Sequence, residues 1–209
     1  MKRRTTRPTA EAILAAACRA IVRRGVEATR IADIAREAGT STGTVHYYFE
    51  TKDDVLRSAL NWANEQPYVR MDEALGRDAD VVTRLATLLE LSIPYPGEPR
   101  EEWVFYLELW NRMLHRPSVL PEWASFESRW RGYFLDVVRS GTASGAFRPV
   151  AAPEEVAERL IALVDGLGIK AVLGGSWMTP ERMRRILLRF AADELDVPYE
   201  ELDRRASGG

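Results

Sequence analysis

The stretch TRIADIAREAGTSTGTVHYYFETK, residues 29–52, limits what this chain can fold into more than any other segment. Ile31, Ile34 and Ala35 fall on one helical face, and the pattern breaks at Gly39. It restarts after Ser41, whose hydroxyl can accept from a free backbone N–H of a second helix over about Thr42 to Tyr48, with Val45, Tyr48 and Phe49 inward. Two helices that cross steeply need a small residue at their approach, here Ala35, and a residue tolerant of positive φ in the turn, here Gly39. The spacing therefore predicts a helix-turn-helix. Thr42, Thr44, His46 and Tyr47 remain on its outer side, a set of short hydrogen-bonding and aromatic groups suited to a groove. Taken alone, the stretch fits an ordinary helical hairpin with a solvated polar face equally well.

Charge adds a second constraint. The net charge of −2 hides an asymmetry: residues 1–60 carry 11 Lys/Arg against 7 Asp/Glu, and residues 61–209 carry 18 against 24. The basic end coincides with the helix-turn-helix, as attraction to phosphates requires, although a basic end also has bland causes. Lys2, Arg3, Arg4 and Arg7 form a basic arm ahead of Pro8, suited to phosphates or a minor groove, or simply a solvated tail.

Cys18 is the single cysteine and His46 and His115 the only histidines, which leaves almost no material for a disulfide, a zinc site or a Cys/His nucleophile pair. No metal, cofactor or catalytic residue is expected. The start looks superficially like a signal peptide, but Glu11 interrupts the apolar run and Arg19 follows it at once. No segment approaches the ~20 apolar residues of a membrane span. The expected location is the cytoplasm, with no membrane partner.

Helical periodicity continues through the chain. A first helix is predicted from about Thr9 to Arg24, with Ile13, Leu14, Ala17 and Ile21 inward and Gly25 as its stop. Thr29 is a good N-cap for a helix from Arg30 to Glu37. Thr51 and Asp54 stand in capping-box spacing at the start of the next. Lys52 in that first turn is a cation where a helix favours an anion, which a DNA phosphate would supply; the alternative is a solvated lysine. Pro67 should kink or break this helix. Further helices are predicted at about Ala79 to Ser92, Glu101 to His115, Pro121 to Ser140, Pro153 to Gly174 and Pro180 to Leu195, and the tail EELDRRASGG reads as too polar to pack.

All six tryptophans lie at position 62 or beyond. Trp103, Tyr106, Trp110 and Met113 stripe a helix that is apolar on nearly every side, and Phe126, Trp130 and Phe134 follow at helical spacing. Such a group either fills a core or lines a ligand cavity. Glu108 within it needs a partner: one within the fold such as Arg112, one turn on, or a ligand cation held with the help of the aromatics. Trp103, Tyr106, Glu108, Trp110 and Trp130 are therefore the candidate ligand-binding residues. Gly166 and Gly168 in the helix from Pro153 suggest close backbone approach. That helix and the one from Pro180 either pair with their copies in a four-helix homodimer interface or cap their own domain.

Across residues 9–60, ILAAACRAIVRRG, TRIADIAREAGTSTGTVHYYF and ETKDDVLRSAL resemble, in order and spacing, the three-helix DNA-binding domain and connecting fourth helix of the TetR family of transcriptional regulators. LELW, GAFRP and LVDGL resemble, more loosely, the C-terminal domain of regulators similar to BetI. The resemblance implies an all-α fold, with a helix-turn-helix DNA-binding domain at 1–51 and a helical effector-binding and dimerisation domain at 52–209. It implies that Thr42, Thr44, His46 and Tyr47 face DNA, that Lys52 meets a phosphate and that Arg30 approaches the DNA backbone. His46 stands where most members carry tyrosine.

The function so implied is that of a sequence-specific homodimeric repressor, not an enzyme, released from double-stranded operator DNA by a small-molecule effector. Its dimer contacts would come from residues 153–174 and 180–195. The rivals are a regulator without an effector, and an enzyme using Glu108 or Asp165 in an aromatic cavity.

Overall fold

In the computed structural model the described residues are 9–75, 79–115, 120–174 and 177–207; the basic arm lies outside them. They form helices and no strand: α1 (Ala10–Arg24), α2 (Ile31–Glu37), α3 (Thr42–Tyr48), α4 (Lys52–Leu75), α5 (Val81–Leu91), α6 (Glu98–His115), α7 (Leu120–Ser144), α8 (Pro153–Val172), α9 (Pro180–Leu195) and α10 (Tyr199–Ala206). The chain divides into two compact units. The first comprises Met1–Gln66 and Val104–Trp123, the second Pro67–Trp103 and Ala124–Gly209, so all three divisions fall inside helices, α4, α6 and α7. The sequence-based boundary at residue 52 follows the start of α4 instead.

In the first unit, the Thr9 side chain caps α1 by accepting from the Ala12 N–H, and Gly25, at φ 79°, ends it. Ile13, Leu14 and Ala17 of α1 pack with Ile34 and Ala35 of α2, Val45 of α3 and Val55 and Ala59 of α4. A second cluster joins Ile21 and Val26 to Leu56, Leu60 and Ala63 of α4 and to Phe105 and Leu109 of α6. Thr29 departs from its expected role. It is fully buried, and its hydroxyl donates to the Gly25 carbonyl at 2.7 Å. Arg30 takes the N-cap position of α2, and its backbone N–H donates to the Asp33 carboxylate at 3.1 Å. A threonine hydroxyl beside the open carbonyls ending α1 is consumed there.

Of the kink or break expected at Pro67, the break does not occur: α4 runs through it. Proline has no N–H for the carbonyl four residues earlier, Ala63, and the Tyr106 hydroxyl donates to that oxygen at 3.3 Å. The predicted pairing of Thr51 and Asp54 is present: Thr51 N–H donates to the Asp54 carboxylate and Asp54 N–H to the Thr51 hydroxyl, both at 3.1 Å.

In the second unit one core gathers Leu85, Leu88 and Leu89 of α5, Phe134 and Val138 of α7, Leu160 and Val164 of α8 and Leu187, Leu188 and Leu195 of α9. Prolines at the first position of α8 and α9 start those helices where no N–H is needed. Helix α7 extends past its expected end to Ser144, and Phe147 folds back onto the bare face of Gly141, where a Cβ would stand 2.0 Å from the ring.

Of the two glycines in α8, Gly168 fulfils the expected close approach, since a Cβ there would meet the Trp103 ring at 2.2 Å. Gly166 has nothing within 4 Å, so packing does not account for it. The tail corrects its expectation. Residues 199–206 form α10 with Leu202 and Ala206 buried, one helical turn apart. Its polar residues are anchored: Arg205 pairs with Asp80, and Asp203 pairs with Arg184, which also bonds Glu90 at 2.8 Å.

Candidate nucleic-acid interface and aromatic site

Helix α3 is presented by its turn. Gly39 takes φ 64°, the Thr40 N–H closes onto the Ala35 carbonyl at 2.8 Å, and Ser41 Oγ accepts from the Thr44 N–H at 3.1 Å. Val45 is fully buried and fixes the rotation of the helix, leaving Thr42, His46 and Tyr47 exposed. Thr44 is half-buried, with its hydroxyl 3.1 Å from Ser41 Oγ. Tyr48, expected inward, is exposed and meets Tyr47 edge-on with centroids 5.0 Å apart. The helix ends at Tyr48, and the extended backbone of Phe49 (φ −137°) turns that half-buried ring toward the core instead. Helical spacing places residue 48 under 45 and holds only while the helix continues, which is how Tyr48 escaped the sequence reading.

Lys52 is half-buried, and its Nζ donates to the Glu27 carbonyl at 3.1 Å. Glu27 is a junction, because its side chain accepts from Arg112 Nη1 while Asp53 accepts from Arg112 Nη2, both at 3.0 Å. Glu108 has a partner within the fold, but it is not Arg112. Its carboxylate accepts from the Val26 N–H at 3.1 Å, beside the positive-φ residue Gly25. The last turns of α6 thus grip both the turn after α1 and the start of α4, which holds Lys52. Nearby arginines are largely spent within the unit: Arg19 and Arg23 bond Glu37 at 2.9 and 2.8 Å, and the Arg19 contact holds that carboxyl below its usual range. Arg30 is exposed at the head of α2.

The aromatic candidates separate. Tyr106, Glu108 and Trp110 belong to the first unit, where Tyr106 and Glu108 serve the Ala63 carbonyl and the Val26 N–H; Trp103 and Trp130 belong to the second. Trp103 Nε1 donates to the Ser92 carbonyl at 3.1 Å while its ring covers Gly168. Trp130 lies in a row of rings. Its own ring stacks on Phe126 at 6.4 Å and meets Phe134 edge-on at 5.3 Å, and Tyr68 of α4 stands 6.5 Å from Phe126 and stacks on Tyr133 at 4.8 Å. The Arg129 guanidinium lies 3.8 Å over the Tyr68 ring.

Burial pushes the Asp165 carboxyl of α8 up to about 6, and the negative charge of Glu127 on α7 adds to the rise. The sequence reading missed Tyr68, because the predicted kink or break at Pro67 detached it from the row of rings.

On α8 and α9, Leu173 and Trp177 at the turn between the helices are exposed large apolar groups, while Ile186 and Phe190 are half-buried. Among the described residues no group of three or more His, Cys, Asp or Glu could hold a metal ion, and no helix is long and apolar enough to cross a membrane.

Residues 13–59 match the family described as bacterial regulatory proteins, tetR family, and residues 81–196 match the BetI-type transcriptional repressor C-terminal family. The chain is 28% identical over 181 residues to the HTH-type transcriptional regulator PksA of Bacillus subtilis, covering 85% of each chain. It is 26% identical to the HTH-type transcriptional regulator BetI of Cronobacter sakazakii, covering 85% of this chain and 87% of that one. Its fold is similar to that of a Saccharomonospora viridis protein described as a candidate transcriptional regulator and crystallised with choline. That match has a TM-score of 0.81 and 36% identity, over 89% of this chain and 96% of the other.

Proposed function

The chain belongs to the TetR family of bacterial transcriptional regulators, with a BetI-type C-terminal half, and from that premise we infer that it is a homodimeric repressor released from its operator by an organic cation. Residues 1–51 serve as the DNA-binding domain and 52–209 as the effector-binding and dimerisation domain. The observation that carries the DNA side is the rotation of α3, with Val45 buried and Thr42, His46 and Tyr47 exposed. The two α3 helices enter successive major grooves, which requires them about 34–36 Å apart or a multiple of that. Thr42, Thr44, His46 and Tyr47 face the groove, while Lys52 and Arg30 meet the DNA backbone.

The effector reading draws support from the choline complex of the Saccharomonospora viridis protein and from the composition of the second unit. Tyr68, Phe126, Trp130 and Tyr133 supply ring faces, with Asp165 contributing negative charge; small changes in the packing of the rings act on α4, to which Tyr68 belongs. A coupling of about 1–3 kcal/mol, 5–150-fold in affinity, suffices for release. Helices α8 and α9 form the dimer interface, consistent with the exposed Leu173 and Trp177 between them.

A nuclease footprint of the DNA flanking the protein's own gene, with and without choline, tests both halves. The expected result is a near-palindromic protected site that choline at millimolar concentration clears. Absence of any protected site would overturn the repressor reading, and a footprint indifferent to choline and other quaternary amines would overturn the effector class.

A further inference from the structure

Resting on the reading of the second unit as a cation-responsive domain, we propose that Arg129 is a built-in competitor of the effector: its guanidinium occupies the face of Tyr68 that an organic cation takes, and effector binding is an exchange of one cation for the other. Helix α7 places Phe126, Arg129 and Tyr133 on successive turns, and all three meet the one Tyr68 ring, at 6.5, 3.8 and 4.8 Å. Where a row of rings converges, the protein has seated a cation of its own. A guanidinium and a quaternary ammonium are held by the same attraction to the ring quadrupole, so each fits where the other sits.

The two groups differ in what they do when released. Arg129 is exposed and sits on a long flexible side chain, so its charge can reach water, whereas Tyr68 is almost wholly buried and cannot follow it. Exchange therefore uncovers the ring face. The competitor also sets the concentration at which the regulator responds: apparent affinity is reduced by the fraction of molecules in which Arg129 is seated. Because Tyr68 immediately follows Pro67 on α4, an occupant of different size on its ring bears on the helix that begins with Lys52.

Calorimetric titration of the full chain with choline and with tetramethylammonium tests the exchange in the parent protein, Arg129→Gln, Arg129→Ala and Tyr68→Phe. Arg129→Gln is expected to tighten both cations about tenfold, the scale of a partly desolvated cation–π contact. Tyr68→Phe, which keeps the ring, should bind as the parent does. Methylguanidinium should bind the Arg129→Ala variant and fail to bind the parent, because only the variant has the seat vacant. If the parent binds choline and Arg129→Gln binds it equally or more weakly, the competitor role is overturned while the effector reading stands. If neither the parent nor any variant binds either ammonium ion, both fall together.

Discussion

The Tyr106 hydroxyl donates to the Ala63 carbonyl at 3.3 Å, the oxygen that Pro67 has no N–H to reach. A proline that would ordinarily interrupt a helix is accommodated because a side chain from α6 takes over the orphaned acceptor. Tyr106→Phe should destabilise the protein by about 1–3 kcal/mol, the cost of a buried carbonyl left unsatisfied. In a Pro67→Ala background the helix recovers its own donor, and the same substitution should cost less than about 1 kcal/mol. Urea denaturation of the four proteins checks this, and equal costs in both backgrounds would sink it.

Arg112 is 6% exposed at its side chain, whereas its partners Glu27 and Asp53 are 68% and 69% exposed. The interaction is therefore asymmetric. Removing both carboxylates, as Glu27→Gln with Asp53→Asn, strands a buried guanidinium and should cost about 3 kcal/mol or more. Arg112→Met leaves two carboxylates that water already solvates, and should cost about 1–2 kcal/mol. The order of the two melting temperatures decides the matter.

On DNA, the lysine and the helix face should behave differently. Lys52→Ala should weaken binding to operator and scrambled duplex alike and lower the slope of log affinity against log salt by about 1. His46→Ala should shift preference between operator variants by about 1–3 kcal/mol at one base-pair position and leave the salt slope unchanged. Fluorescence anisotropy across a salt series separates the two. A His46 variant with unaltered sequence preference would remove that residue from base readout.

Asp165 carries a pH dependence. Its carboxyl ordinarily titrates at 3.8 and is pushed up to about 6 in the folded chain, chiefly by burial. Between those values the unfolded chain has lost the proton and the folded chain keeps it, so this group favours folding at low pH and its contribution is lost as pH rises through about 6. Asp165→Asn, which cannot ionise, should match the parent near pH 4 and exceed it by about 2 kcal/mol above pH 7, after allowance for partial hydration. A gap that is constant with pH would refute the shift. A cation that binds beside the ionised carboxylate should narrow the gap at high pH.

The helical architecture was legible because its signals are local. Ser41 and the Thr51 and Asp54 pair cap where predicted, Gly25 and Gly39 take positive φ, and Val45 is buried as its spacing required. These features depend on residues within one or two turns. The failures share one cause. Thr29, Pro67, Tyr48 and the tail each have a local reading that is sound, and each was overruled by a group distant in sequence or by the end of an element. The tail shows it plainly: EELDRRA is polar by composition, yet Leu202 and Ala206 share a face, and Asp203 and Arg205 find Arg184 and Asp80 across other helices.

The candidate sites divide along the same line. By itself the sequence determined an all-helical chain, the position and outer face of the recognition helix, and the family, since periodicity, capping and motif order are properties of neighbouring residues. Only the tertiary structure decided what the aromatic and charged groups do. It assigned Tyr106 to the carbonyl left by Pro67, gave Glu108 the Val26 N–H in place of Arg112, drew Arg112 to Glu27 and Asp53, and gathered Tyr68, Phe126, Trp130 and Tyr133 around one another with Arg129 above. A side chain's partner is fixed by which buried donors and acceptors the folded chain brings within about 3 Å of it, and a linear sequence does not carry that distance.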